Sequence, residues 1–87
     1  MRLAVLIEDQ TEKAVDNIEM ILKAGQASLS DVVKVTVYVT DIADRVRINP
    51  VRQELFGDAR PASTLVEVSA LAIPGAKLEV EAVALVP

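Results

Sequence analysis

The sequence predicts a single α+β domain over residues 1–87, in which two helices cover one face of a β-sheet. Apolar residues recur at helical spacing over residues 10–24. Residues that favour strands alternate with polar ones over 32–40, and this alternation returns at 64–68 and 77–85. A length of 87 residues suits one domain, and an apolar content of 52% is enough to form a buried core.

The first elements expected are a short strand and an amphipathic helix. Residues 3–7 form a branched apolar run, which is typical of a strand. Asp9 stands three residues before Glu12, a variant of the capping box, and Gly25 follows the last periodic residue as a left-handed cap would. We therefore predict a helix over about 10–24. Its apolar face contains Ala14, Val15, Ile18, Ile21 and Leu22.

The middle of the chain predicts a second strand. Over residues 32–40, valines alternate with Lys, Thr and Tyr, and β-branched residues pack well on a pleated surface. The valines expected to share one face are Val33, Val35, Val37 and Val39.

The second helix is constrained by a proline. Inside a helix Pro50 would cost about 3 kcal/mol, whereas at the first helical position it costs almost nothing. Asn49 can cap a helix that starts there, and Gly57 can end it. We predict a short helix over about 50–56, preceded by one irregular or helical turn over 42–48.

Two strands are expected at the C-terminus, at 64–68 and 77–85, joined as a loose hairpin by a turn at Pro74-Gly75. The predicted order is therefore β-α-β-α-β-β. The face of the last strand that suits the helix-covered core contains Leu78, Val80, Ala82, Ala84 and Val86. The opposite face contains Lys77, Glu79, Glu81, Val83 and Leu85. This mixture fits either a partly polar interface or a solvated surface, and the alternation does not decide between them.

The carboxylates of the last strand also allow an acid/base or metal interpretation. Glu79 and Glu81 lie two residues apart and so share one face, and Glu67 on the neighbouring strand could add a third carboxylate. Glutamates are common on strand faces, and the structural interpretation is preferred.

Composition excludes several classes of function. Without cysteine or histidine the chain has no disulfide, thiolate nucleophile, imidazole base or Cys/His zinc site. A net charge of −4, with one tyrosine, one phenylalanine and no tryptophan, disfavours nucleic-acid binding.

The opening apolar run is too short for a signal peptide or a membrane span, so we expect a cytoplasmic protein with no membrane partner. A domain this small buries little surface alone, which favours an oligomer.

Several motifs together resemble the Rid family, the YjgF-type reactive-intermediate deaminases that are also labelled endoribonuclease L-PSP. The resemblance covers nearly all of residues 9–86. The segments that carry it are Gln10-Thr11, Asn17-Ile18, Ile21-Leu22, the run 27–41, Asn49, Phe56-Gly57, Arg60-Pro61-Ala62, 66–68 and 78–84.

The resemblance implies a chorismate-mutase-like fold and a homotrimer with ligand clefts between subunits. It further implies hydrolysis of short-lived enamines and imines to 2-keto acids and ammonia, without a metal or organic cofactor. The ligand would be a small 2-imino or 2-keto acid. In the family, an arginine binds the substrate carboxylate, and a glutamate and an ordered water assist attack on the imine carbon.

The chain departs from the family pattern at two places. Ser63 stands where the carboxylate-binding arginine is expected, and Arg60 lies before the proline, where a solvated loop cation is the preferred interpretation. The N-terminus is short and lacks the family's Gly-Pro-Tyr-Ser and Ser-Gly-Gln segments. The candidate catalytic residue is Glu79, and the candidate substrate-binding residues are Ser63, Asn49 and Arg60. Glu79 is equally compatible with an interface or a solvated strand position. For Asn49 a helix cap is the preferred interpretation, because the following Pro50 explains it.

The sequence therefore favours a Rid-type deaminase whose activity is weakened by Ser63. The alternative is a non-catalytic trimeric module that binds a small molecule or a protein. A ribonuclease, which the older family label suggests, is disfavoured by the acidic charge.

Overall fold

In the part of the chain that the structure describes, two helices pack on one face of a three-stranded mixed sheet, which confirms the predicted α+β class. The computed structural model describes residues 7–57 and 61–85. Its elements are α1 (Ile7–Ala24), β1 (Val32–Val39), α2 (Arg45–Phe56), β2 (Ala62–Glu67) and β3 (Leu78–Ala84). Single 3₁₀ turns at Leu29–Asp31 and Ile42–Asp44 lead into β1 and α2. The strand predicted at 3–7 falls outside the described residues except for Ile7, which belongs to α1 instead.

The sheet has the order β2-β1-β3, with β1 parallel to β2 and antiparallel to β3. The predicted hairpin is therefore wrong, because the last two strands flank β1 rather than pairing with each other. Helix α2 supplies the crossover that a parallel pair requires, and residues 68–77 carry the chain past the end of β1. The predicted Pro74-Gly75 turn is confirmed by the bond from the Ala76 N–H to the Ile73 carbonyl, with Gly75 at φ 83°.

Helix α1 begins three residues earlier than predicted, so Asp9 lies in its first turn and does not cap it. Ile7, Thr11 and Val15 form the fully buried stripe of this helix, and the Thr11 hydroxyl donates to the Ile7 carbonyl at 2.7 Å. Ile21 was expected on this face but is 71% exposed. It lies about 120° around the helix from Val15, beyond the stripe that the sheet covers.

At the end of α1, the residue in the left-handed conformation is Gln26, one position later than the predicted Gly25. Gly25 continues the helical bonding to Ile21 and Leu22, and Gln26 adopts φ 63°. The Gln26 N–H bonds to the Lys23 carbonyl and the Ala27 N–H to the Leu22 carbonyl, which is a Schellman motif.

Gln26→Gly is expected to stabilise the domain by about 0.5 kcal/mol. A left-handed conformation costs a residue with a Cβ about 1–2 kcal/mol. Glycine avoids that cost but lowers stability by about 0.5–1 kcal/mol, because it loses more conformational entropy on folding. Gly25→Ala is the matched control and should not destabilise, because its Cβ would meet the Leu22 carbonyl oxygen at 3.6 Å, an ordinary contact. Thermal unfolding measures both changes. Destabilisation by Gly25→Ala with no gain from Gln26→Gly would contradict this assignment.

Strand β1 contains a bulge that changes which valine is buried. Val35, Val37 and Val39 are buried as predicted, whereas Val33 is 42% exposed and Val32 takes the inward position. The register against β3 shifts between Val32 and Lys34. Such a shift moves the preceding side chain to the other face of the sheet.

Helix α2 begins at Arg45 and runs through Pro50, so the predicted start at Pro50 is wrong. Proline lacks the N–H that would bond to the Val46 carbonyl. Val46 and Pro50 both lie on the exposed side of the helix, where water can satisfy that carbonyl. Asn49 is consequently a residue of the helix interior and not its cap. Gly57 ends the helix as predicted, with φ 54°.

The core lies between the helices and the sheet. Its buried apolar side chains are Ile7, Val15, Val32, Val35, Val37, Val39, Ile48, Phe56 and Leu78. Arg47 on α2 makes two hydrogen bonds to the Glu8 carboxylate on α1, at 2.6 and 3.1 Å, and this hydrogen bonding lowers the pKa of Glu8. Gln10 joins α1 to the loop before β3 by donating to the Gly75 carbonyl and accepting from the Lys77 N–H.

Candidate functional site

A cleft of about 620 Å³ opens between the C-terminal half of α2 and the start of β2. Val35 and Phe56, both buried, contribute apolar surface, and Pro61 adds to it. Arg52 and Gln53 contribute polar groups from the helix, and Ser63 contributes one from the strand. The lining residues are Val35, Arg52, Gln53, Phe56, Gly57, Pro61 and Ser63.

The guanidinium of Arg52 joins two residues that the sequence nominated separately. Its Nη1 donates to the Ser63 hydroxyl, and its Nη2 donates to the Asn49 side-chain oxygen at 2.6 Å. Arg52 and Asn49 lie three residues apart in α2 and therefore on one face of it. Burial lowers the pKa of Arg52, but a guanidinium stays charged in proteins. The cleft thus contains a partly desolvated cation that is held by neutral acceptors.

The geometry of the cleft is suited to a small anion with an apolar part. A guanidinium presents its N–H donors in a planar fork that matches a carboxylate, and these charge-assisted bonds are stronger than those to neutral oxygens. Val35, Phe56 and Pro61 would contact the apolar part of such a ligand.

Glu79 lies on the other face of the sheet. Ser63 pairs with Val35 and so shares the helix-covered face, whereas Glu79 pairs with Tyr38 and shares the opposite one. A single chain therefore brings Asn49 and Ser63 together but keeps Glu79 away from them. Arg60 lies outside the described residues.

Glu67 does not join the other carboxylates, so that expectation is wrong. It pairs with Val39 on the helix-covered face, and β1 separates its strand from β3. Its carboxylate accepts the Ile42 N–H at 3.0 Å and so fixes the 3₁₀ turn before α2. Within residues 7–57 and 61–85, no group of three acidic side chains is placed to hold a metal ion.

The face of the sheet opposite the helices is open in the single chain. The predicted division of β3 is confirmed over residues 78–85. Leu78, Val80, Ala82 and Ala84 pack against the core, and Glu79, Glu81, Val83 and Leu85 are exposed, while Val86 lies outside the described residues. Lys34, Thr36 and Tyr38 from β1 and Ala62, Thr64 and Val66 from β2 complete this open face. Its interpretation as an interface stays a prediction.

Arg52 was missed by the sequence analysis. The predicted helix start at Pro50 made Asn49 a cap, and Arg52 was therefore given no role in the site. The available signal was the three-residue spacing of Asn49 and Arg52, which places both side chains on the same side of the helix.

No helix in the described part of the chain is long and apolar enough to cross a membrane.

Most of this chain, and its fold, are similar to known proteins. A sequence model of the family described as endoribonuclease L-PSP matches residues 2–86. A RutC family protein of Pyrococcus abyssi is 46% identical over 78 residues, which are 90% of this chain and 61% of that protein. Reactive Intermediate Deaminase A, chloroplastic, of Arabidopsis thaliana is 40% identical over 78 residues, 90% of this chain and 41% of that protein.

A solved structure shares the fold. Rv2704 from Mycobacterium tuberculosis, a member of the YjgF/YER057c/UK114 family, superposes with a TM-score of 0.93 at 40% identity. The match covers 97% of this chain and 71% of that one. The YjgF-like fold is thereby confirmed, while the chain spans less than two thirds of the length of the two relatives above.

Proposed function

Because the chain belongs to the endoribonuclease L-PSP family, also called YjgF/Rid, we propose that it is a deaminase of 2-imino acids with weakened activity. The observation that carries this proposal is that Arg52 joins Asn49 of α2 to Ser63 of β2 at a cleft which Arg52 and Ser63 line. The resemblance assigns both positions to the substrate site. The similarity to a protein named as a reactive intermediate deaminase supports the same reaction.

The proposed reaction is a hydrolysis that needs no redox partner. A water oxygen bonds to the imine carbon, protons pass from the water to the nitrogen, the C–N bond breaks, and ammonia and a 2-keto acid are released. A carboxylate near the water accepts and returns the proton, a role that contributes about 10²- to 10⁴-fold in rate. Glu79 is the proposed carboxylate. The weakened activity follows from the neutral Ser63 hydroxyl at the position where a charged donor is expected.

We further propose a homotrimer in which the clefts lie between subunits. Glu79 and Ser63 occupy opposite faces of the sheet, so a neighbouring copy has to present its Glu79 to the cleft. The open face carries apolar and charged residues together, among them Val83 at 50% exposure and Glu79, as an interface would. The proposed compartment is the cytoplasm, supported by the cysteine-free composition.

The second candidate function is a non-catalytic trimeric module that binds a small carboxylate. Ser63 in place of an arginine favours this function, as does the position of Glu79 away from the cleft of its own chain. The two candidates differ in a single observable, which is turnover.

Ammonia release from enzymatically generated 2-iminobutanoate tests the reaction. We expect the protein to accelerate this release in proportion to its concentration. Glu79→Gln should remove most of the acceleration, and Glu12→Gln, an exposed residue of α1, should leave it unchanged. Release no faster than in buffer, by protein that is folded, would reject the deaminase in favour of the binding module.

A further inference from the structure

We propose that Arg52 binds the substrate carboxylate, and that this cation on α2 takes over the role which the resemblance gives to an arginine at position 63. The inference rests on the proposed function for the identity of its ligand. It assigns a specificity-determining role to a residue for which the family pattern provides none.

The first argument is position. The Arg52 guanidinium reaches across the cleft from the helix and donates to the Ser63 hydroxyl. The charge therefore lies directly beside the place where the family pattern expects a guanidinium. Ser63, whose hydroxyl carries no charge, serves as a positioning residue that accepts a hydrogen bond from the arginine.

The second argument is the kind of partner that Arg52 has. Among the residues that the structure describes, its hydrogen bonds go to Ser63 and Asn49, which are both neutral. Arg47, five residues earlier on the same helix, is instead paired with the Glu8 carboxylate. The Arg52 side chain is more shielded from water than that of Arg47, and a shielded cation whose described partners are neutral is a favourable place for an anion.

The third argument is the number of donors that stay available. A guanidinium has five N–H donors, and these two bonds use one on each terminal nitrogen. The remaining donors include one on each terminal nitrogen, so a carboxylate can bind without displacing Ser63 and Asn49 first. The two neutral acceptors thus fix the plane of the fork in advance, which reduces the entropy lost on binding.

The apolar walls define the substrate class further. Val35, Phe56 and Pro61 offer no partner for a charged or strongly polar group. The ligand expected here is a 2-imino monocarboxylate with a short aliphatic side chain, in which the carboxylate is bound by Arg52 and the side chain contacts these walls.

The test uses 2-oxobutanoate, a stable product analogue, and its uncharged primary amide as probes in calorimetric or NMR titrations. Wild type should bind the carboxylate about 10- to 100-fold more tightly than the amide, because the guanidinium interacts strongly only with the anion. Arg52→Gln should lose this preference. The matched control Arg45→Gln, in the same helix but exposed, should keep it.

Arg52→Gln combined with Ser63→Arg moves the cation from the helix to the strand and should restore the preference. If Arg52→Gln does not fold, as judged by circular dichroism, Arg52→Lys replaces it. The loss of the planar fork should then reduce the preference about three- to tenfold. An unchanged preference in Arg52→Gln or in Arg52→Lys would overturn the proposal.

Deaminase assays on the same preparations separate this inference from the proposed reaction. A wild type that releases no ammonia, but whose preference for the carboxylate depends on Arg52, would reject the reaction and uphold the binding role. A wild type that is active, with Arg52→Gln equally active and equally selective, would uphold the reaction and overturn the role of Arg52.

Discussion

Mixing two nearly inactive variants, Arg52→Gln and Glu79→Gln, is expected to restore about a quarter of the wild-type deaminase activity. The reason is the geometry of the sheet. Arg52 reaches the helix-covered face beside Ser63, and Glu79 lies on the other face. A complete cleft then takes Arg52 from one chain and Glu79 from its neighbour. In a ring of chains mixed in equal amounts, about half of the clefts receive an intact Arg52, and about half of those receive an intact Glu79 from the neighbour. About a quarter of the clefts are then complete.

The measurement is ammonia release after the two variants are unfolded and refolded together, compared with the same variants refolded separately. Each variant alone should be strongly impaired, and Glu79→Gln at least about 100-fold, because it removes the proton-transferring carboxylate. Refolding Arg52→Gln with the double variant Arg52→Gln/Glu79→Gln is the control, since no chain in that mixture has Arg52. Recovery in the control, no recovery in the first mixture, or a monomer at micromolar concentration by sedimentation equilibrium would each contradict the intersubunit cleft.

The sequence predicted those parts of the fold that depend on local periodicity. The alternation of Val35, Val37 and Val39 correctly predicted the buried face of β1. The apolar alternation along β3 correctly predicted which of its residues face the core. Pairing between strands is not contained in such patterns. The hairpin expected around Pro74-Gly75 failed because the alternation of the two strands is equally compatible with pairing to β1.

The site was predicted only in part, and for a physical reason. Motif resemblance nominated positions 49 and 63 along the chain, and the structure shows that they meet through Arg52. The meeting depends on α2 continuing through Pro50, which propensity alone disfavours by about 3 kcal/mol. Packing of Ile48 and Phe56 into the core offsets this cost. Long-range packing is not visible in a local sequence pattern, and so Arg52 was overlooked.

Ser63→Arg is expected to raise kcat/KM for deamination about tenfold over wild type. A charge-assisted hydrogen bond contributes about 1.5–3 kcal/mol, against about 0.5–1.5 kcal/mol for a neutral one, and each 1.4 kcal/mol is about tenfold in rate. The new side chain would extend from β2 on the cleft side of the sheet, since Ser63 pairs with the buried Val35. It would thereby add a second fork to the one that Arg52 presents from the helix.

Repulsion between the two guanidiniums limits this gain, because both are charged in the empty cleft and only a bound carboxylate offsets their charges. We therefore expect a lower free energy of unfolding for Ser63→Arg without ligand, and a partial recovery with 2-oxobutanoate. Ser69→Arg, which adds the same charge at an exposed position after β2, is the control and should leave kcat/KM unchanged.

Whether the rise in kcat/KM for Ser63→Arg requires Glu79 shows if the new arginine acts in the same catalytic step. If the added arginine orients a substrate that Glu79 then helps to hydrolyse, Ser63→Arg/Glu79→Gln should be no faster than Glu79→Gln alone. Residues that act on one transition state are strongly non-additive in this way, whereas independent effects on binding and stability would add. A tenfold gain that persists without Glu79 would show that the arginine acts on binding only. In that case the loss caused by Glu79→Gln alone is the separate measure of its part in proton transfer.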